Sequence, residues 1–344
     1  MEIAPPSLEH GPPGHFGLPV RAEATWRTAL SIAALLLLTA ILLRALQPEK
    51  VAWAQNFLIV FGSLLVEAVP FVLVGALASA AIEVFVPASA FEKLTRLPKA
   101  LQLPAAGVAG FAFPVCECGS VPVARRLAAK GLMPSAAVTF MLAAPILNPV
   151  VLASTFVAYS GRSSLWTMVL GRAGLGLIVA IAVGWVVGPR SKEELLRPRP
   201  EDQARMDHDD EPRWQRFFGH LGGDFLFMGR FLLIGATIAA GVQTFIPQNI
   251  IGGVANTPVV DLLTMMGLAF LLSLCSESDA FVAASFVQFG PAAQLAFLVF
   301  GPMVDMKLGA LYVGTYNKGF FRMVLATVTA VTLVGTLWIK VFSG

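Results

Sequence analysis

Residues 113 to 123 read Phe113-Pro114-Val115-Cys116-Glu117-Cys118-Gly119-Ser120-Val121-Pro122-Val123. Two cysteines and a glutamate sit here among prolines and a glycine, between otherwise apolar segments. A second stretch, Leu274-Cys275-Ser276-Glu277-Ser278-Asp279, repeats it in altered form 160 positions later. In that register Glu117 falls on Glu277, Cys116 on Ser276 and Cys118 on Ser278. All three cysteines of the chain lie in these two segments. The expectation is that the two segments meet inside a membrane and form a transport site.

The membrane follows from composition. Hydrophobic residues make up 56% of the 344 and charged residues 13%, against about 25% charged in a soluble domain. Several apolar runs exceed the ~20 residues needed to cross a bilayer. Residues 131 to 161 and 231 to 260 contain no Asp, Glu, Lys or Arg. The net charge of +3 gives no sign of a nucleic-acid partner, and three cysteines, an odd number, argue against a disulfide framework. No G-x-x-x-x-G-K-[ST] stretch is present, so any ATP would be supplied by another subunit.

Taken in order, residues 1–26 read as a flexible polar tail and 27–46 as an extra transmembrane helix. A first repeat runs over 51–189, a charged linker over 190–216 and a second repeat over 217–344. Within the first repeat come a span from Phe57 to Val86 and a basic connector at 88–100. Two short arms on either side of Cys116–Gly119 follow, then a span from Met133 to Ala158 interrupted at Asn148-Pro149, and another from Leu165 to Val187. Twelve helical residues rise about 18 Å, too little for a ~30 Å hydrocarbon core. A re-entrant hairpin fits that length, with Pro114, Gly119 and Pro122 supplying the break. The second half repeats the series. Phe71–Pro87 matches Phe231–Pro247 at seven of seventeen positions, including Gly75 with Gly235. From Pro291 the offset becomes 157, placing Asp305 on Asn148.

The fold class expected is therefore an all-α integral membrane protein. About seven full transmembrane helices and two re-entrant hairpins form two inverted repeats. No Lys or Arg occurs between Arg230 and Lys307, which places the loops of that stretch outside and the basic connectors and N-terminus in the cytoplasm. The chain is expected in a bacterial plasma membrane.

Cys116, Cys118 and Cys275 are the candidate substrate or metal ligands. Three soft thiolates suit Cu(I), zinc or a trivalent arsenic centre, although small cysteines also pack readily between helices. Two residues apart on a helix, Cys116 and Cys118 would point in nearly opposite directions; an extended or turned tip puts both thiols on one side. Glu117 and Glu277 complete the substrate site. A carboxylate near the bilayer centre costs roughly 2.5–3.5 kcal/mol on insertion scales, a cost that proton uptake relieves, so these two are candidate proton carriers. Asp279, Asn148, Asp305 and Glu67 are secondary candidates. The competing reading makes the acids structural partners of Arg125, Arg126, Arg230 or Lys307. Arg125 and Arg126 are expected to extend to the cytoplasmic surface.

The stretches P-V-C-E-C-G-S-V-P-V, A-A-P-I-L-N-P at Ala143–Pro149, S-L-C-S-E-S-D at Ser273–Asp279 and G-P-M-V-D-M-K at Gly301–Lys307 resemble the YraQ-type predicted bacterial permeases. That family includes the ArsP organoarsenical efflux permeases, and the likeness covers about residues 50 to 340. The resemblance implies a permease whose substrate thiols are Cys116 and Cys118, accompanied in some members by a small membrane partner. The arsenical exporters carry a Cys-Ser-Cys type tip. Glu117 in the middle position here adds a negative charge beside the thiols and favours a cationic substrate or proton coupling. No cofactor is expected. The leading function is export of a soft metal ion or organometalloid by a secondary transporter, alone or as a homo-oligomer. The alternatives are a membrane thiol oxidoreductase using Cys116 and Cys118, or the channel subunit of a multi-component permease complex.

Overall fold

Without water, backbone N–H and C=O groups must find partners inside the chain, and a helix satisfies them within one segment. Every regular element in the computed structural model is helical among the described residues, which are 52–86, 98–112, 115–198, 212–245 and 259–343. The N-terminal tail, the extra helix at 27–46, most of the basic connector and the centre of the charged linker lie outside them. Residues from Asn56 onward form one compact unit.

The first half contains α1 (Ala52–Phe85), α2 (Lys99–Ala109), α3 (Glu117–Ala129), α4 (Pro134–Leu147), α5 (Pro149–Ala158) and α6 (Leu165–Val187). A four-residue turn of helix, α7 (Lys192–Leu195), leads to the second half. There follow α8 (Arg213–Phe245), α9 (Val260–Leu272), α10 (Asp279–Ser285), α11 (Pro291–Phe300), α12 (Met306–Thr315) and α13 (Phe320–Ser343).

Element boundaries recur at the offsets read from the sequence. The long helices α1 and α8 both run through the aligned stretch, α1 ending at Phe85 and α8 reaching Phe245, the last described residue before 259. After the two breaks, α5 and α12 are each ten residues long and begin 157 positions apart. Packing recurs as well: α4 lies against α2 and α6, and α11 against α9 and α13. The terminal helices α6 and α13 pack on each other, while α3 crosses to α12 and α10 crosses to α5. Each broken segment is therefore held by helices from both halves.

Five helical stretches are long and apolar enough to cross a membrane: Trp53–Phe85, Pro134–Ala158, Leu165–Val187, Arg213–Thr244 and Phe320–Val341. On α6, exposed Trp166 and Trp185 stand 19 residues apart, about 29 Å along the axis. That spacing matches two interfacial levels around a ~30 Å core. Leu170 and Ile178 between them are exposed too, as lipid-facing side chains would be.

Several expectations change in detail. The broken run from Pro291 to Thr315 parts over Gly301–Asp305, where Asp305 begins a new helix. Neither of its pieces is among the five crossing helices of the described residues, and the helix expected at 27–46 lies outside those residues. Gly119 and Pro122 lie inside α3, whose helical geometry starts at Glu117. Pro122 is the sixth residue of the helix, so it forgoes one bond to the Cys118 carbonyl without ending the helix. The returning arm of the second hairpin is helical only over Asp279–Ser285. Arg125 and Arg126 are buried, and they turn to protein groups. Arg125 donates to the Arg197 carbonyl (3.0 Å), and Arg126 meets Asp224 (3.3 Å) and Glu83 (3.6 Å).

Glycine brings the long helices onto the broken segments. A methyl group on Gly75 in α1 would overlap Gly119 Cα, and one on its counterpart Gly235 in α8 would stand 2.7 Å from Lys307 Cα. Small residues permit such backbone approach between helices in lipid. Gly75→Ala and Gly235→Ala should each destabilise the detergent-solubilised protein by about 1–3 kcal/mol through overpacking. Gly62→Ala, with open space around the added carbon, should be neutral or stabilising by up to about 1 kcal/mol. Thermal unfolding of the three variants checks this contrast.

Candidate functional site

The first segment enters α3 through Cys116, whose backbone is extended and whose Sγ accepts the Gly119 N–H at 3.4 Å. The thiol does the capping work that serine or aspartate usually does. Glu117 then occupies the first helical position, where the positive end of the helix favours a carboxylate. The helix places Cys118 one residue further on. The tip is thus not the open turn that would set Cys116 and Cys118 on one side.

The second segment leaves α9 through Ser273, a non-glycine residue in left-handed geometry (φ 48°). Its hydroxyl accepts the Met306 N–H at 3.2 Å, tying the segment to the start of α12. Residues 273–278 are not helical, and Asp279 opens α10.

The two segments touch. Ser276 Oγ donates to Glu117 Oε2 at 3.0 Å and reaches Glu277 Oε2 at 3.4 Å. The Ser276 N–H points to the same Glu117 oxygen at 3.5 Å. Ser278 Oγ donates to Glu67 Oε1 at 2.6 Å, bringing α1 into the cluster. Lys307 Nζ lies 3.8 Å from Glu117 Oε1, 3.8 Å from Asp305 Oδ2 and 3.9 Å from Cys275 Sγ. Glu117, Asp305 and Lys307 are each 1% exposed.

A second ionic group anchors the other side. Arg172 on α6 is fully buried and forms a bidentate pair with Asp279, at 2.8 and 2.7 Å. It also donates to Thr155 Oγ1 and to the Ser276 carbonyl. Arg172 lies between Trp166 and Trp185 in the chain, so the second segment is fixed within the depth those rings bracket. The breaks themselves are capped alike: Asn148 Oδ1 accepts the Val150 N–H at 2.9 Å, and Asp305 Oδ1 the Leu308 N–H at 2.6 Å.

Glu117, Glu277, Asp279, Asp305 and Glu67 therefore join one network with Ser276, Ser278, Lys307 and Arg172. Asn148 stands apart as the cap of α5. Cys116, Cys118 and Cys275 are free and buried. Among the described residues no three His, Cys, Asp or Glu side chains are grouped closely enough to hold a metal ion. Five carboxyls share the network with two cationic side chains, Arg172 and Lys307, an excess that suits protons or a cation and opposes an anion.

The predicted permease family (ArsP_1) matches residues 53–341. The chain belongs to that family. It is 38% identical over 285 residues to the UPF0718 protein YcgR of Bacillus subtilis (strain 168), covering 82% of this chain and 96% of that one. It is also 34% identical over 288 residues to a Streptococcus mutans protein named as a putative two-component membrane permease complex subunit, covering 83% and 95%. No solved structure matches significantly. The permease is a multi-pass membrane protein, and the family resemblance read from its motifs holds.

Sequence reasoning passed over Arg172 and treated Lys307 only as a structural partner. Arg172 is the single charge within Leu165–Val187, a signal in itself. At the 157 offset it falls on Thr329, so comparing the halves did not single it out. Arg172→Met leaves Asp279 buried without its partner and should destabilise the permease by about 3–5 kcal/mol. The double variant Arg172→Met, Asp279→Leu should recover more than half of that loss, because no buried charge is then left alone. Thermal unfolding in detergent reads both.

Proposed function

We propose that this permease is a secondary transporter exporting a soft metal ion or an organometalloid, such as a trivalent arsenical, through the site between its two broken segments. The observation that carries the reading is the hydrogen bond from Ser276 to Glu117 across 159 residues, with three free buried thiols in the same two segments. Cys116, Cys118 and Cys275 supply soft ligands, and they converge on the substrate as the segments shift. Glu117 and Glu277, bridged by Ser276, carry protons. Asp279 and Asp305 hold the segments through Arg172 and Lys307, and Asn148 and Glu67 support the first break and the second tip.

Matching helix boundaries and crosswise packing support an architecture of inverted repeats with two re-entrant hairpins, whose interface is the common place for a substrate site. Completing seven spans takes the helix at 27–46 and the broken α11–α12 run. The absence of Lys and Arg from 231 to 306 supports a cytoplasmic N-terminus in a bacterial plasma membrane. The Streptococcus mutans relative's name favours a second reading at the level of assembly. Here the chain is the membrane channel subunit of a two-component permease, working with a partner that docks on its apolar outer helices.

The test is transport in sealed vesicles of Cd²⁺ and of a trivalent arsenical, with and without a pH gradient. Cys116→Ser and Cys118→Ser should each abolish transport, and Cys275→Ser should weaken it less. Thermal stability should fall by no more than about 1 kcal/mol, because a hydroxyl fills nearly the same space but binds soft ions poorly. Full transport by a well-folded Cys116→Ser, Cys118→Ser double variant contradicts the thiol site.

A further inference from the structure

Asp305 and Lys307 open α12, and the positions matching them at the start of α5 are Asn148 and Val150. Asn148 and Asp305 perform the same backbone task, each accepting one N–H of the helix it begins. A neutral cap is therefore sufficient for this kind of break. Nothing in the turn requires the charge of Asp305 or the presence of Lys307, and burying both charges carries a large desolvation penalty.

What Lys307 faces gives the reason. Its ammonium stands 3.8, 3.8 and 3.9 Å from Glu117 Oε1, Asp305 Oδ2 and Cys275 Sγ. Charge-assisted N–H···O bonds close to about 2.7–2.9 Å, so the two carboxylate oxygens are approached without being engaged. Glu117 Oε1 and Asp305 Oδ2 make no hydrogen bond at all, although both are fully enclosed. One acceptor comes from the first segment, one from the second and one from the break. The three converge on a cation that the chain itself provides, loosely held.

We infer that Lys307 is a tethered counter-cation of the empty site, and that its ammonium exchanges with an incoming cation for Glu117, Asp305 and Cys275. The inference rests on the transport-site reading above and adds the residue that sets its charge selectivity. With the ammonium in place, Glu117, Asp305 and Lys307 sum to one negative charge. With it withdrawn, two carboxylates and a thiol confront the newcomer and must close in from the 3.8–3.9 Å at which they surround the ammonium, too wide a grouping to hold a metal ion as it stands; a cation restores the balance and an anion cannot. Because the ammonium competes for the same acceptors, apparent cation affinity is reduced by the fraction of time it is away. Departure of the ammonium also removes one link between the segments, so occupancy and separation of the segments are coupled.

Cd²⁺ is the probe, titrated calorimetrically into the purified full-length chain in detergent at pH 8. Lys307→Met should bind it about tenfold or more tightly than the wild type. Lys307→Arg, which keeps the charge, should remain within about threefold of it. A parallel pair guards against misfolding: Asp305→Asn, and the same change with Lys307→Val, which gives the second break the residues of the first. Within that pair only the lysine differs, and its removal should again tighten Cd²⁺ by about tenfold or more. Equal or weaker binding on loss of the ammonium in either folded pair overturns the inference, as does a complete lack of Cd²⁺ binding throughout. An equal gain in Lys307→Arg overturns it too, because packing and not charge would then be responsible. Repeating the comparison with Cys116→Ser and Cys118→Ser separates the two claims. A gain that persists there removes those thiols from the site and leaves the role of Lys307 intact.

Discussion

An ionised side chain taken out of water must find an opposite charge or several hydrogen-bond partners, and this constraint shapes the centre of the permease. Arg172 and Asp279 come closest to meeting it, with two short bonds between them and further bonds to Thr155 and the Ser276 carbonyl, only Arg172 Nε being left without a partner. Glu117, Asp305 and Lys307 meet it only in part. The first pair therefore acts as a fixed anchor for the second segment. The second group holds its charges 3.8 Å apart, beyond hydrogen-bond contact.

The asymmetry between the segments has chemical consequences. Positions that are thiols in the first, Cys116 and Cys118, are hydroxyls in the second, Ser276 and Ser278. The hydroxyls act as donors to Glu117 and Glu67 and join the segments to each other and to α1. The thiols leave soft, weakly bonded sulfur within the same enclosure. The first segment thus carries thiols where the second carries hydroxyls that bond across to its partners. The two halves share an order of elements but differ in chemistry at the broken segments. Within each frame the long helix closes on its own half through a glycine, Gly75 against Gly119 in the first and Gly235 against Lys307 in the second.

Much of this was legible in the sequence where the deciding physics is local. Asn148-Pro149 marks a helix end and a new start, because proline cannot donate an N–H and asparagine can cap. The offset of 157 then located Asp305 at the equivalent cap. Long apolar runs located the crossing helices, and the same offset carried the break between α4 and α5 over to α11 and α12. The partnership of Arg172 with Asp279 spans 107 residues, and neither hydropathy nor repeat matching carries information about such pairs. The first tip was misread in one respect. Gly119 and Pro122 lie inside α3 without ending it, and only the fold reveals that Glu117 is where the helix begins.

The central claim is that the two broken segments are energetically joined through Glu117 and Ser276, and a double-mutant cycle tests it most directly. Thermal unfolding in detergent of the wild type, Glu117→Gln, Ser276→Ala and the double variant gives the interaction energy. The account predicts a coupling of about 0.5–3 kcal/mol, the range for side chains in direct contact. Additive effects within about 0.3–0.5 kcal/mol, as for distant independent sites, would contradict it.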